Sequence, residues 1–319
     1  MQNKIFAQDA RVAMIGDSIT HNGIAVAYIQ EYYRTHFPSR NVKIFNLGIG
    51  GDNASNANNR LDEVMSVEPT EAVVMFGVND MGVQYYSETP TEEHVSAREA
   101  SKQRHLDGVV RLVKSLIEKN IPVTLCSAVG RDEYTKADKG VKTFGATKAL
   151  YEMFENNIKA LDGMLKNTVD YLTPMQELGS ALENAGLPSL FTEDRTHPNV
   201  LGQNMMARIL LRAQGLPVTL PTLEDFKNGW QERKLPNDLV KRHEIEVKWR
   251  NLHWVYPHQR ERTGEVPLEE RIAFWKEELK KEGLDRYFVT MYTNYVENAH
   301  KDDEYFKEYL TITDALYSK

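Results

Sequence analysis

The chain has 319 residues, 41% of them apolar, which is enough for a sizeable core and for more than one small domain. Acidic side chains outnumber basic ones to give a formal net charge of −7, and no run of Lys and Arg exceeds a pair, which counts against a nucleic-acid partner. No stretch approaches the roughly 18–20 apolar residues of a membrane span, and a single cysteine, Cys126, excludes an intramolecular disulfide.

Residues 1–10 lack the apolar centre of a secretion signal. That leaves two compartments open, the cytoplasm or an exported site reached by a chain whose signal has been removed. From there to about residue 215, short apolar runs alternate with segments of helical spacing. Strands are predicted at residues 11–15, 42–47, 71–76, 121–128 and 169–172. Most are continuous apolar runs, as parallel strands covered on both faces require. Cys126 falls inside the fourth run, where a thiol is a small hydrophobe and not a nucleophile. Leu106, Val109, Val110, Val113, Leu116 and Ile117 form one helical stripe, and Leu150, Met153, Phe154, Ile158, Leu161 and Leu165 another. Such alternation predicts an open parallel sheet with right-handed crossovers and a ligand site at the carboxyl ends of its strands.

The pattern changes after Pro221, where charge-rich helical segments such as residues 268–281 and 302–315 take over. This last third holds all four tryptophans, Trp230, Trp249, Trp254 and Trp275. Pro257 and residues 263–267 read as connectors. The division expected is 1–218 for a catalytic domain and 219–319 for an aromatic-rich helical extension. Two roles compete for its rings: packing against the first domain or a second subunit, and bordering the cleft to stack on sugar rings.

Four motifs carry chemistry. Gly16-Asp17-Ser18-Ile19-Thr20 follows the first strand and sets a serine at the sheet's carboxyl edge, although such a string also caps helices. Asn46-Leu47-Gly48-Ile49-Gly50-Gly51-Asp52-Asn53 follows the second, with glycines that let a backbone approach a ligand. It fails as a dinucleotide loop, because position 53 is Asn and the loop follows the second strand. Gly77-Val78-Asn79-Asp80 follows the third, where the Asn79 amide can donate to an oxyanion or make a local turn. In Asp194-Arg195-Thr196-His197 the carboxylate can reach one ring nitrogen of His197 and leave the other free to accept a proton.

In this order the motifs resemble the four blocks of the SGNH (GDSL-like) hydrolase superfamily, with Ile19 in place of the usual leucine. The resemblance covers roughly residues 8–215. It implies an α/β fold, a flavodoxin-like three-layer α/β/α sandwich with a parallel sheet of about five strands, here followed by a helical C-terminal extension. It further implies catalysis by Ser18, His197 and Asp194 through an acyl-enzyme, with an oxyanion hole from the Ser18 and Gly51 N–H groups and the Asn79 amide. Gly50 competes with Gly51 for that role. No cofactor and no metal are implied.

His21, three residues past Ser18, is a candidate substrate-binding residue or a helix-start residue. His243-Glu244 lacks the second histidine of a zinc-protease string. Thr20 breaks the G-x-S-x-G elbow and disfavours an ordinary α/β-hydrolase. The polar, acidic chain favours hydrolysis of a small acyl ester, acetyl foremost, on a carbohydrate carrier. A lipid-directed esterase or thioesterase and a non-catalytic carbohydrate-binding protein are the alternatives, and the extension offers a surface for a homo-oligomer.

Overall fold

The computed structural model describes residues 4–231, 233–253, 267–284 and 286–317, without side chains for 286–288. Its centre is a five-stranded parallel sheet, β1 (Arg11–Gly16), β2 (Lys43–Gly48), β3 (Glu71–Met75), β4 (Val123–Cys126) and β5 (Asn167–Val169), in the order β2-β1-β3-β4-β5. The chain moves outward in one direction from β1 and then in the other, so the switch point lies beside β1, where open α/β sheets bind ligands. β1 to β4 are buried over almost their whole length, which accounts for their unbroken apolar runs.

Alternate strand residues feed two cores. Val12, Met14, Ile44, Val73 and Met75 meet α2 (Ile24–His36), α7 (Leu172–Asn184) and α8 (Val200–Ala213) on one face. Ala13, Ile15, Phe45, Leu47 and Val74 meet α3 (Ala54–Asn59), α4 (Leu61–Met65) and α5 (Glu92–Glu118) on the other. α6 (Ala146–Ala160) contributes to both, since Met153 joins the first and Phe154 the second.

Two sequence expectations are corrected. The fifth strand ends at Val169, and Leu172 opens α7 instead of closing the strand. Ser127 Oγ accepts the N–H groups of Tyr171 and Leu172, at 2.8 and 3.1 Å, and so turns the chain into the helix early. Leu165 likewise lies beyond α6, which ends at Ala160.

The last third is helical, with α9 (Leu223–Lys227), α10 (Asn237–His253), α11 (Leu268–Glu278), α12 (Arg286–Asn298) and α13 (Asp302–Ala315). Trp254, Pro257 and residues 263–266 lie outside the described residues. Among those described, no helix is long and apolar enough to cross a membrane.

This extension covers the exposed edge of β2. An edge strand presents backbone groups that water or another chain must otherwise satisfy. Here Arg242 of α10 donates to the Ile44 carbonyl, the Asn46 N–H donates to Tyr309 Oη of α13 at 3.2 Å, and Arg250 Nε donates to the Gly48 carbonyl at 3.0 Å. Arg242, Glu246 and Arg250 are fully buried, and Glu246 is held by Tyr309 Oη at 2.5 Å, Asn46 Nδ2 at 3.2 Å and Arg242 at 3.4 Å. Buried charges are tolerable only when paired in this way. Ile245, Trp249 and Tyr309 complete the core beneath β2.

Among the described residues, several rings of the extension serve packing. Trp249 is 2% exposed and Trp275 3%, so of the two roles that compete for the extension's rings these two take the packing role. Trp249 stacks on Phe306 and Tyr309, and Trp275 packs against Tyr292. Trp230 is half-buried against Phe226 and Arg208.

Candidate active site

The register aligns Gly16 of β1 with Gly48 of β2 and Met75 of β3. The three loops that follow therefore leave one edge of the sheet side by side. Ser18 begins α1 (Ser18–His21), whose first turn is capped by Asp17 Oδ1, accepting the Ile19 N–H at 2.9 Å. A Cβ on Gly16 would lie 2.2 Å from Thr20 Oγ1, and one on Gly48 2.3 Å from the His21 backbone nitrogen, so both strand ends need glycine to bring α1 this close.

Ser18 Oγ lies 2.7 Å from His197 Nε2, and His197 Nδ1 lies 2.5 Å from Asp194 Oδ2. Asp194 Oδ1 accepts the N–H groups of Thr196 and His197, at 2.8 and 3.0 Å, and the Thr192 hydroxyl at 2.8 Å. Burial works against its charge, but these donors and the His197 ring outweigh it and hold the carboxyl well below the usual range. The hydrogen bond to Asp194 raises His197 above the ordinary imidazole value, against burial. A carboxylate can only accept, so Nδ1 carries the proton and Nε2 is left to accept one from Ser18. The site is open, with the His197 and Asp194 side chains 40% and 51% exposed.

The Asp194–His197 turn is held by residues that the sequence reading did not single out. Arg195 has φ +64°, a conformation costly for a side chain with a Cβ. Its guanidinium is buried and donates to the carbonyls of Asp132, Thr135, Ala137 and Lys139. Arg131 donates to Thr196 Oγ1 and to the Val141 carbonyl. The turn closes with the Thr192 N–H on the His197 carbonyl at 2.8 Å, and Asn199 caps α8 directly after it.

The glycine loop follows β2, and Asn79 lies in the loop after β3. Gly51 has φ +74° and is exposed, and among the described residues its N–H has no acceptor. The Gly50 N–H is taken, donating to His21 Nδ1 at 3.1 Å. Of the two glycines, Gly51 is the one with a free donor. Asn79 is exposed and its amide donates to the Asp52 carbonyl at 2.8 Å, joining the second and third loops. Asp52 is itself buried against Arg60 Nε at 2.8 Å, and Asp80 Oδ1 accepts the Ala54 N–H at 3.1 Å.

His21 is corrected. It is 8% exposed, and both ring nitrogens are engaged, Nδ1 by Gly50 and Nε2 by Asn251 Oδ1 at 3.1 Å. It is not open to a substrate, because α10 closes over it. Burial and the charge of Arg250 push its pKa down to about 3, so the ring is neutral. Asp17, buried beside Ser18, is pushed up to about 7, chiefly by burial. Cys126 is buried and its thiol is pushed up to about 12, in keeping with the small hydrophobe expected.

The sequence model of the GDSL-like Lipase/Acylhydrolase family matches residues 14–205. An acetylxylan esterase of Geobacillus stearothermophilus is 25% identical over 221 residues, covering 64% of this chain and 94% of that protein. A crystal structure of an acetylxylan esterase from the same organism has a TM-score of 0.51 at 20% identity and covers 68% of this chain and 97% of that one. A gut microbial diltiazem-metabolizing enzyme has a TM-score of 0.82 at 18% identity, covering 100% of this chain and 96% of that one. The fold of the extension thus has a counterpart in the last of these.

Proposed function

Because the chain belongs to the GDSL-like lipase/acylhydrolase family and is a carboxylic-ester hydrolase of the SGNH type, we propose that it removes small acyl groups, acetyl foremost, from a carbohydrate carrier. The observation that carries the mechanism is the continuous chain from Ser18 Oγ through His197 to Asp194, at 2.7 and 2.5 Å. His197 takes the Ser18 proton as Oγ attacks the ester carbonyl. The tetrahedral oxyanion is held by the N–H groups of Ser18 and Gly51 and by the Asn79 amide. Collapse expels the alcohol with the proton from His197. Water, activated by the same ring, then releases the acid. In this division residues 1–218 carry the reacting groups and residues 219–319 buttress them.

Support for the substrate comes from the acetylxylan esterase relative and from the exposure of His197 and Asp194, which leaves room for a bulky alcohol. The test is a screen of acetylated xylo-oligosaccharides, diltiazem and p-nitrophenyl esters of graded length, alongside a fluorophosphonate that labels Ser18. Acetate should be turned over faster than butyrate by about tenfold or more, the scale on which a few methylenes are discriminated. A preference for butyrate or longer chains would turn the assignment toward lipid-directed esterases.

The Asn79 amide is assigned to the transition state, so Asn79→Ala should lower kcat by about 10²–10³-fold while KM changes by about twofold at most. Steady-state kinetics on p-nitrophenyl acetate check this. A change confined to KM would make Asn79 a ground-state binding residue.

A further inference from the structure

We propose that Asn251, acting through His21, is a positioning residue that sets the oxyanion loop, so that the C-terminal extension is a working part of the catalytic centre. The inference rests on the reading of Gly51 as an oxyanion donor.

The loop in question is short and built of glycines, and such a segment has no conformation of its own. Preorganised donors are what make an oxyanion hole effective, so something must hold it. Successive residues of α10 do so. Arg250 Nε donates to the Gly48 carbonyl at 3.0 Å. Asn251 reaches the other end of the segment through His21. The Gly50 N–H can only donate, which makes His21 Nδ1 the acceptor at 3.1 Å. The ring proton then sits on Nε2 and donates to Asn251 Oδ1, also at 3.1 Å. A neutral ring with one tautomer is required, and burial beside Arg250 supplies it.

Between these two grips, Ile49 is fully buried in a cluster with Ile272, Trp275, Tyr292, Tyr295 and Ala299 of the last helices. Gly48, Ile49 and Gly50 are thus each tied, directly or through His21, to the extension. Gly51, the next residue, is exposed with φ +74° and a free N–H. The direction in which that N–H points follows from the three residues before it.

Asn251→Leu keeps the size and removes the acceptor, whereas Asn251→Asp keeps an acceptor oxygen. For Asn251→Leu, kcat per active site on p-nitrophenyl acetate should fall by about 10²-fold, the scale of a misplacement of about 1 Å. KM, the melting temperature and the end-point of fluorophosphonate titration should stay near wild type. Asn251→Asp should recover most of the loss. If Asn251→Leu is recovered unfolded, Asn251→Ala, a smaller side chain that adds no bulk at a half-buried position, takes its place with the same expectation. A kcat within about twofold of wild type overturns the proposal. So does a fall matched by an equal loss of folded, titratable sites, which makes the contact structural only. Wild-type protein that fluorophosphonate does not label at Ser18 would defeat the underlying site assignment instead, and the two failures are therefore told apart.

Discussion

Ser18→Ala should lower kcat on p-nitrophenyl acetate by about 10⁶-fold, the scale seen when a triad nucleophile is removed, and leave the fold unchanged. The chemical loss is large because the substitution removes the hydroxyl that faces the free nitrogen of His197. Ser18 Oγ is the atom 2.7 Å from His197 Nε2. The structural loss is small because Ser18 does not cap its own helix. That task falls to Asp17, whose carboxylate accepts the Ile19 N–H and is untouched by the substitution. Circular dichroism and thermal melting of the variant should match the wild type. A folded Ser18→Ala that kept more than about a hundredth of the activity would remove Ser18 from the mechanism. Contaminating esterase is controlled by fluorophosphonate, which should label the wild type and not the variant.

The sheet and the candidate site were legible in the sequence for one physical reason. Parallel strands buried on both faces are unbroken apolar runs, and in this fold the reactive groups stand directly after them. The runs ending at Ile15, Leu47 and Phe76 placed the motifs that hold Ser18, Gly51 and Asn79 at the carboxyl edge of the sheet, and the resemblance of those motifs to the family's blocks singled out the three residues. Asp194 and His197 were legible because the carboxylate and the ring share one turn, so their pairing is local.

What was not legible involves partners distant in sequence. α10 looks like a solvated helix, with charges on every side and hardly any apolar stripe. Its buried face is itself charged, since Arg242, Glu246 and Arg250 serve the backbone of β2 and the side chains around it. Periodicity counts apolar side chains and passes over such a face. His21 is a second case, because the Asn251 that engages its ring lies far along the chain. The left-handed Arg195 is held by four carbonyls of the segment from Asp132 to Lys139, and nothing beside it in sequence announces them.

Asp194→Asn should lower kcat by about 10⁴-fold, as the equivalent change does in serine proteases, and the hydrogen bonds at the turn say why. Oδ1 faces the N–H groups of Thr196 and His197, which can only donate. An asparagine must therefore keep its carbonyl oxygen there and turn its NH₂ toward His197 Nδ1. That nitrogen becomes an acceptor, the ring proton moves to Nε2, and the atom facing Ser18 can no longer take a proton. The pH profile supplies a second readout. In the wild type the Asp194 hydrogen bond is the main cause of the raised His197 pKa. Activity needs the neutral ring, so kcat/KM should fall as pH drops through a midpoint above about 6.5. Without the carboxylate that support is gone, and the midpoint for the residual activity should move to lower pH. Rate–pH profiles of the two proteins, with folding checked by thermal melting, decide the matter. An Asp194→Asn variant within about tenfold of wild type, or one with an unmoved acid limb, would leave Asp194 as a residue that shapes the turn and nothing more.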